Sequence, residues 1–417
     1  MSELSYLEKL LDGVEVEWRN LGDTSLFEIA NNGRKPVKAS LRIAGETPYY
    51  GANNIQDYVD GYTHDGEYVL IAEDGSASLE NYSIQYATGK FWANNHVHVV
   101  RGKERVHSRF LYHYLCIVNF LPFLTGGGRA KLTKGQLIEI PVPIPCPGNP
   151  EKSLAIQSEI VRILDKFSAL TAELTAELNM RKKQYNYYRD QLLSFDEEQE
   201  KPVYLEKLLD GVEVEWRTLG EIAVIYDGTH KTPKYTASGV PFVSVQNIKN
   251  LYGTNKYISP EDFKTYKNKP RKHDLFMTRI GDVGTCAIVE DDRPLAYYVT
   301  LALIRINQQI AVPGFIRYLI ESRFGKAELY KRTLIHAVPM KINLGEIGKV
   351  AVPIPCPDNP EKSLAIQSEI VRILDKFDTL TNSITEGLPR EIELRQKQYE
   401  YYRDLLFSFP KPETASN

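Results

Sequence analysis

A chain of 417 residues with 42% hydrophobic and 25% charged side chains has the composition of a globular protein and length for two to four domains. No apolar run approaches the ~20 residues of a spanning helix, and the first residues lack the basic start and apolar stretch of a signal peptide, so we expect a cytoplasmic protein without a membrane partner. The net charge of −3 argues against nucleic-acid binding, but it hides unequal parts: residues 20–141 hold 12 basic and 12 acidic side chains, residues 218–350 hold 19 and 12, and the remainder holds 20 and 30.

The chain consists of one unit written twice. Residues 142–167 return at 352–377 with one change in 26 positions, Gly148 against Asp358. A shorter segment at residues 6–19 precedes the first body and recurs unchanged at 204–217, where its pattern predicts a helical turn, a glycine break and an alternating strand. These repeats divide the chain into residues 1–141, 142–203, 204–350 and 351–417, that is, a head with a variable body followed by a helical region, twice.

The two variable bodies share little identity but the same order of short β-rich runs, separated by Gly, Asn, Asp and Pro turns. Each body ends with one apolar helix before the repeat. We therefore predict two mixed α/β domains of one fold in which the sheet dominates. The corresponding runs are 46–55 with 239–248, 65–75 with 273–282 and 95–101 with 299–305, and the helices are near 110–120 and 315–324.

A long helix is predicted after the proline-rich residues 141–150, since its apolar residues alternate spacings of four and three, as in a coiled coil. About 40 residues would form a rod of roughly 60 Å. The second copy gains four residues near 387–389, where we predict a bend. Pairing of the two helices predicts an α+β fold with an antiparallel coiled coil, a domain at each end, a pseudo-twofold axis and a tail that returns to the head. The predicted packing and partner-docking residues are Ile156, Ile160, Ile163, Phe167, Leu170, Leu174, Ile366, Ile370, Ile373, Phe377 and Leu380.

The sequence contains no phosphate-binding glycine loop, His-Glu-x-x-His or Gly-x-Ser-x-Gly motif, so no catalytic residue is predicted. His96 and His98 are expected to be a half-exposed pair on one strand face rather than a metal site. The four cysteines lack a Cys-x-x-Cys pair and are expected to be reduced structural thiols.

Both bodies contain residue types that suit DNA, since basic side chains bind phosphates and amides can contact base edges. A solvated loop or an ordinary turn explains any one of these signals equally well. The densest basic stretch is residues 264–272, and two turns, 31–36 and 227–233, occupy like places in the two bodies. The candidate DNA contacts are Arg34, Lys35, Asn53, Asn54, Arg129, Lys131, Thr229, His230, Lys231, Gln246, Asn247, Lys264, Lys267, Lys269, Arg271 and Lys272.

Two dissimilar bodies, two long helices of nearly identical sequence and a twofold plan resemble, over nearly the whole chain, the specificity subunit of type I restriction–modification systems. The helix that begins Ser-Leu-Ala-Ile-Gln-Ser-Glu-Ile at residue 153 and the tandem Thr-Ala-Glu-Leu at 171–178 resemble its type IC branch. Residues 227–233, Asp-Gly-Thr-His-Lys-Thr-Pro, are similar to a recurrent opening of the family's target recognition domains.

The resemblance implies a non-catalytic, sequence-specific DNA-binding subunit. Each body would recognise one half of a split duplex site, and the helices would set the spacing and dock two methyltransferase subunits. Those partners would methylate adenine with S-adenosylmethionine, and two motor–endonuclease subunits would add ATP- and Mg-dependent translocation and cleavage. No cofactor is expected on this chain itself.

Two other functions stay open at the level of sequence. A non-catalytic scaffold could bind proteins or glycans through two modules on a coiled-coil spacer, and the neutral first body is compatible with it. An independent nuclease or methyltransferase would need a catalytic set that the residues do not supply. Salt-dependent binding to duplex DNA would distinguish a DNA-binding protein from the scaffold. A methyl-transfer assay on the isolated chain would test whether it is an enzyme by itself.

Overall fold

A computed structural model describes residues 13–126, 130–195, 207–209 and 212–409. Its contacts divide the chain into two compact units, Met1–Leu174 with Ile392–Asn417 as unit 1, and Thr175–Glu391 as unit 2. The helical turn predicted for the first head and the return of the tail to that head lie outside the described residues. Among the described helices, none is long and apolar enough to cross a bilayer.

In the described part of unit 1, ten strands and two short α-helices precede the long helix. Two four-stranded sheets have the orders β2-β9-β6-β7 and β4-β3-β8-β5, and β1 pairs with β10. Only the β3–β8 pairing in this unit is parallel among the described strands. The elements are β1 Val16–Asn20, β2 Phe27–Ile29, β3 Ala44–Tyr50, β4 Ile55–Val59, β5 His64–Asp65, β6 Tyr68–Ala72, β7 Ile84–Ala87, β8 Lys90–Ala93, β9 Val97–Gly102, α1 Ser108–Leu115, α2 Lys134–Leu137 and β10 Pro141–Pro145.

The long helix α3, Pro150–Leu192, has 43 residues and runs from unit 1 into unit 2. The elements that follow are β11 Val214–Thr218, α4 Leu219–Ile222, β12 Ala223–Asp227, β13 Val240–Val243, β14 Tyr257–Ile258, α5 Pro260–Lys264, β15 Leu275–Thr278, β16 Cys286–Ile288, β17 Ala296–Tyr297, β18 Leu301–Ile306, α6 Pro313–Glu321, α7 Arg323–Tyr330, α8 Leu344–Ile347, β19 Ala351–Pro355, α9 Pro360–Asn382 and α10 Leu388–Leu406.

The sheets of unit 2 repeat those of unit 1. Their orders are β12-β18-β15-β16 and β14-β13-β17, with β11 paired to β19, and β13–β17 is again parallel. The three pairs of runs matched in the sequence thus hold strands at equivalent places, β3 with β13, β6 with β15 and β9 with β18. The prediction of two bodies of one fold is confirmed, although the described part of unit 2 has no counterpart of β5.

A central strand in each unit is buried on both faces, which explains its uninterrupted apolar sequence. In β6, Val69 belongs to the core formed with α1, whereas Leu70 faces a second core with Phe91 of β8. The same alternation occurs in β15, where Leu275 and Phe276 face different cores. Each body therefore has a helix on one side of the sheet that contains the central strand and the second sheet on the other.

The repeated segments close each body by pairing with each other. In unit 1 the head strand β1 pairs antiparallel with β10, Trp18 opposite Pro143, and in unit 2 β11 pairs with β19 in the same register. Directly afterwards Cys146 and Cys356 adopt φ angles of 49° and 48°, a left-handed turn that starts the approach to the long helices. The repeats are thus the frame on which the variable sheets are held.

A buried glutamine fixes the start of the long helix to the body of unit 1. Gln157 is 0% exposed; its Oε1 accepts from the His107 backbone N–H at 2.9 Å, and its Nε2 donates to the Arg105 carbonyl and to Ser153 Oγ, both at 3.1 Å. Because His107 precedes α1 directly, this side chain joins two helices.

Unit 2 repeats this arrangement atom for atom. Gln367 is also 0% exposed; its Oε1 accepts from the Val312 N–H at 2.9 Å, and its Nε2 donates to the Ile310 carbonyl at 3.0 Å and to Ser363 Oγ at 3.1 Å. The near-identity of the helical repeats therefore has a structural reason, since each copy anchors its own body.

The helix pairs are built from both repeats. In unit 1, Phe167 of α3 stacks on Tyr402 of α10 with ring centroids 5.2 Å apart. In unit 2, the equivalent Phe377 of α9 stacks on Tyr188 of α3 at 5.5 Å. The first half of each helical repeat thus packs against the second half of the other copy.

The predicted apolar residues of the long helices contact two neighbours, the core of the body and the other helix. This corrects the single coiled-coil seam inferred from their spacing. Ile156 and Ile160 are buried in the core of unit 1 together with Leu164, which the four–three pattern had missed. Leu170 is 36% exposed, because it lies beyond the body. Half-buried positions in unit 1 are Ile163, Phe167 and Leu174; in unit 2, Ile366, Ile370 and the similarly missed Leu374 are buried, and Ile373, Phe377 and Leu380 are half-buried.

The bend predicted near 387–389 is an interruption between two helices. α9 ends at Asn382, and α10 begins at Leu388 after Gly387, whose φ of 83° favours glycine. Ile384 lies in this break and is 73% exposed. The four additional residues are therefore accommodated outside the helices.

Candidate nucleic-acid interface

Unit 2 brings the predicted turn 227–233 and the basic stretch 264–272 together around a cleft of about 250 Å³. One wall is the turn after β12, and the other is the turn after α5, although they lie almost 40 residues apart in sequence. Burial raises the pKa of Tyr266, and a hydrogen bond with Thr229 across the cleft offsets part of that rise. The lining residues are Asp227, Gly228, Thr229, Thr265, Tyr266, Lys267, Asn268 and Tyr297.

The basic stretch next to this cleft is held by backbone hydrogen bonds, and most of its basic side chains are exposed, whereas Lys269 is half-buried. The Arg271 N–H donates to Asp274 Oδ2, and the Lys272 N–H donates to Asp292 Oδ1, both at 2.9 Å. Lys269 Nζ lies 4.9 Å from the centroid of the Phe263 ring. Within the part of the chain that the structure describes, none of the candidates Lys264, Lys267, Lys269, Arg271 and Lys272 forms an ion pair, so their charge is available to phosphates.

The turn after β12 is tightly clamped. The Thr229 N–H donates to the Tyr297 carbonyl at 3.1 Å, and the Thr229 carbonyl accepts from Val299 at 3.0 Å. A Cβ on Gly228 would come within 2.4 Å of the Tyr298 carbonyl oxygen, so the turn passes directly against β17. His230 and Lys231 project from this clamped segment and are exposed.

A third group of candidates in unit 2 follows β13 in a short 3₁₀ turn, Val245–Asn247. The Asn247 side-chain oxygen accepts from the Ser244 N–H at 3.1 Å and so caps the turn. Gln246 is exposed on the same turn, where its amide is free of any described partner. Asn247 therefore has a structural role, and Gln246 is the better placed to contact a base edge.

In unit 1 the structure brings Arg34 and Lys131 together on one carboxylate. Arg34 Nη1 donates to Glu73 Oε2 at 2.6 Å and to the Val97 carbonyl at 2.8 Å, and Lys131 Nζ lies 3.0 Å from Glu73 Oε1. Burial tends to raise the pKa of Glu73, but the two cations outweigh it and hold the pKa below its usual value. Arg34 is thus committed within the protein, whereas Lys131 keeps an exposed side chain and neighbouring Lys35 is exposed.

The two asparagines of the first body differ in the same way. Asn53 Nδ2 donates to the Gly75 carbonyl at 2.8 Å, and its Oδ1 accepts from the Ala77 N–H at 2.7 Å, so this side chain pins the loop after β6. Asn54 only accepts from the next backbone N–H, at 2.8 Å, and is exposed. Arg129 lies outside the described residues.

His98 is fully buried, which corrects the half-exposed pair expected from the sequence. Its Nε2 donates to the Leu132 carbonyl at 2.7 Å, and its Nδ1 accepts from Asn31 Nδ2 at 2.9 Å. Burial lowers the pKa of His98, so the ring is neutral at pH 7. His96, in contrast, contacts Asp74 at 2.6 Å and is half-exposed.

Sequence reasoning missed the residue that organises each candidate surface, Glu73 in unit 1 and Arg279 in unit 2. Arg279 Nη1 donates to Asp227 Oδ1 at 2.6 Å, beneath the cleft. The available signal was a charged residue directly after the apolar central strand in both bodies. Nothing in the spacing of the sequence indicated which loop each charge would meet.

The chain is similar to known proteins over nearly its whole length. The family model for the type I restriction modification DNA specificity domain matches twice, at residues 14–181 and 211–394. A putative type I restriction enzyme specificity subunit from Haemophilus influenzae is 45% identical over 419 residues, covering 97% of this chain and 98% of its own. The specificity subunit of the type I restriction enzyme EcoR124I/EcoR124II from Escherichia coli is 39% identical over 446 residues, with both chains covered completely.

The fold is shared with a solved structure of low sequence identity. The S subunit of a type I restriction–modification system from Mycoplasma genitalium superposes with a TM-score of 0.59 at 15% identity, covering 96% of this chain and 98% of that one. The predicted fold class, two α/β bodies with long helices, is confirmed by this likeness and by the repeated sheet order.

Proposed function

The chain belongs to the family of type I restriction–modification DNA specificity subunits, and from this premise we propose that it recognises a split duplex DNA site, one half with each unit. The observation that carries the proposal is the repetition of one sheet order around different surfaces. The frame that the repeats build is the same in both units, whereas the exposed loops differ. Two dissimilar recognition surfaces on one frame suit a target with two dissimilar halves.

The chemistry of unit 2 supports DNA as the ligand. Lys267 lines a cleft that also presents hydroxyl and amide groups, and further exposed basic residues flank it in sequence, the combination that binds phosphates and base edges. Residues 218–350 carry 19 basic and 12 acidic side chains, whereas residues 20–141 carry 12 of each. We therefore assign the larger share of the salt-dependent affinity to unit 2.

The long helices would have two tasks beyond anchoring the bodies. Their length would set the gap between the half-sites, and the exposed parts of their repeated surface would dock two methyltransferase subunits. Two motor–endonuclease subunits would complete the restriction enzyme in the bacterial cytoplasm. In this proposal S-adenosylmethionine, ATP and Mg belong to the partners, and this chain supplies recognition alone.

The experiment that tests the function is to express the chain with its methyltransferase partner and to sequence the methylated adenines of the host genome. We expect one bipartite motif with a fixed gap. Purified complex should bind a duplex containing that motif, with an affinity that falls steeply with salt because phosphate contacts release counterions. A complex that methylates no defined motif, or binding that is insensitive to salt, would favour the protein- or glycan-binding scaffold instead.

A further inference from the structure

The residue directly after the central strand occupies equivalent junctions in the two units. The Glu73 N–H donates to the His96 carbonyl at 2.8 Å, and its carbonyl accepts from Leu132 at 2.8 Å. The Arg279 N–H donates to the Thr300 carbonyl at 3.0 Å, and its carbonyl accepts from Ile342 at 3.0 Å. Both backbones thus tie the end of the central strand to two other segments of the body.

The side chains at these junctions carry opposite charges. Glu73 binds Arg34 of the turn after β2, and Arg279 binds Asp227 of the corresponding turn after β12. Strand registers establish this equivalence, because Ile29 and Ile225 lie opposite Val100 and Ile304, so that Asn31 corresponds to Asp227. Both units therefore connect the end of the central strand to this turn by an ion pair, with the charges exchanged, although Arg34 takes the place of His230 in the turn rather than that of Asp227.

In the pair of unit 2 the arginine is buried, whereas the Asp227 side chain is 30% exposed. The Arg279 side chain is 8% exposed, and its Nε donates to the Ile342 carbonyl at 3.2 Å. Asp227 uses its second oxygen to accept from His230 Nε2 at 2.8 Å. A chain of contacts therefore runs from the end of β15, through the Asp227 carboxylate, to the exposed His230, which follows the cleft residue Thr229.

We propose that Arg279 and Asp227 are positioning residues that fix the turn Asp227–Lys231 in the conformation that recognises one half-site. This inference rests on the proposed function. The two residues hold the turn in place and do not themselves contact DNA. Desolvation of the buried Arg279 guanidinium cancels much of the attraction in this pair, so the principal effect of the contact is to select one conformation of the turn. Glu73 with Arg34 performs the same task in unit 1 with the opposite polarity.

Four variants of the complex with its methyltransferase test this proposal. Arg279→Gln and Asp227→Asn each remove one charge while keeping much of the side-chain shape, and the double variant removes both. The matched control is Arg317→Gln, which breaks an Arg–Asp contact of 2.9 Å to Asp378 between α6 and α9. Methyl-transfer rates are measured on duplexes with the native motif and with single base-pair changes in either half.

Each single variant should lower the discrimination at the half-site of unit 2 by roughly tenfold, the selectivity of one well-placed base contact, and leave the other half-site unchanged. The double variant should be no worse than either single one, because both changes release the same turn. Arg317→Gln should lower the thermal stability of the complex without changing discrimination.

Failure of the proposed function and failure of the positioning role give different results. If the wild-type complex has no bipartite motif, the proposed function fails. If the motif exists but both single variants discriminate as the wild type does, or lose discrimination equally at both halves, the positioning role is refuted. Should Arg279→Gln fail to fold, Asp227→Asn decides alone, since it is isosteric.

Discussion

The buried glutamines at the start of the two long helices provide a test in which each unit is the control for the other. Replacing Gln157 with Leu keeps the volume but removes three hydrogen bonds, two of them to backbone groups at residues 105 and 107. Replacing Gln367 removes the same three bonds from unit 2. Because the partners are geometrically alike, the two substitutions should have the same cost.

The magnitude follows from the number and type of the bonds. A typical hydrogen bond contributes about 1 kcal/mol net, and a buried group left without a partner costs about 1–3 kcal/mol. The backbone partners are only part-buried and Leu gains apolar burial, so the free energy of unfolding of the affected unit should fall by about 2–3 kcal/mol. That loss increases the population of the open unit by roughly 30- to 150-fold.

Hydrogen exchange with peptide resolution is the suitable assay, because a two-unit protein need not unfold in one step. Gln157→Leu should accelerate exchange throughout unit 1, from α1 to the central strand, and leave the peptides of unit 2 unchanged. Gln367→Leu should do the reverse by a similar factor. A loss below about 0.5 kcal/mol at either site would refute the inference that this side chain anchors the helix to its body.

Four further outcomes are expected. Adding one Thr-Ala-Glu-Leu to the tandem at 171–178 lengthens the helix by about 6 Å, against ~3.4 Å per base-pair step, so the mapped gap should grow by one or two base pairs while both half-sites stay the same; an unchanged gap would exclude the helix as the spacer. Exchanging residues 218–350 for another such body should change one half-site in the methylome, and a change in both would contradict modular recognition. Lys267→Ala should reduce the slope of log affinity against log salt by about one and leave base selectivity intact, whereas an unaltered slope would remove Lys267 from the phosphate contacts. Burial lowers the pKa of His113, against the opposing effect of its hydrogen bond to Asp165, so the unfolded state takes up the proton first as the pH falls. The free energy of unfolding of unit 1 should therefore fall by up to ~1.4 kcal/mol per pH unit below the ordinary histidine pKa near 6.5. The variant His113→Tyr, which copies Tyr318 of unit 2, should reduce this loss, as measured by hydrogen exchange at pH 5 and 7.

Much of the architecture could be inferred from the sequence because it is periodic or repeated. The order of apolar runs predicted which strands correspond, and the sheet orders of the two units confirm it. Helix spacing identified Ile156 and Ile160 but omitted Leu164, since a helix that contacts both a body and another helix buries a wider stripe than a coiled-coil seam.

The candidate surfaces were harder to infer, because pairing across the fold decides which charges remain free. Arg34 has the sequence context of an exposed turn, yet Glu73, 39 residues away, binds it. Lys267 has a similar context and has no described carboxylate beside it. Local sequence does not distinguish the paired Arg34 from Lys267, which is unpaired among the described residues, because a carboxylate partner comes from a strand that is distant along the chain.

The mixed origin of the helix pairs has a consequence for the order in which the protein can be completed during synthesis. Unit 2 is continuous in sequence, from Thr175 to Glu391, whereas unit 1 also requires residues from Ile392 onward. Phe407 packs on Phe110 at 5.4 Å in the core of unit 1. The first body to leave the ribosome must therefore wait for the last helix, after the second body has been made. A nascent chain keeps that apolar surface open throughout, so loss of the final helix should damage the beginning of the protein more than its middle.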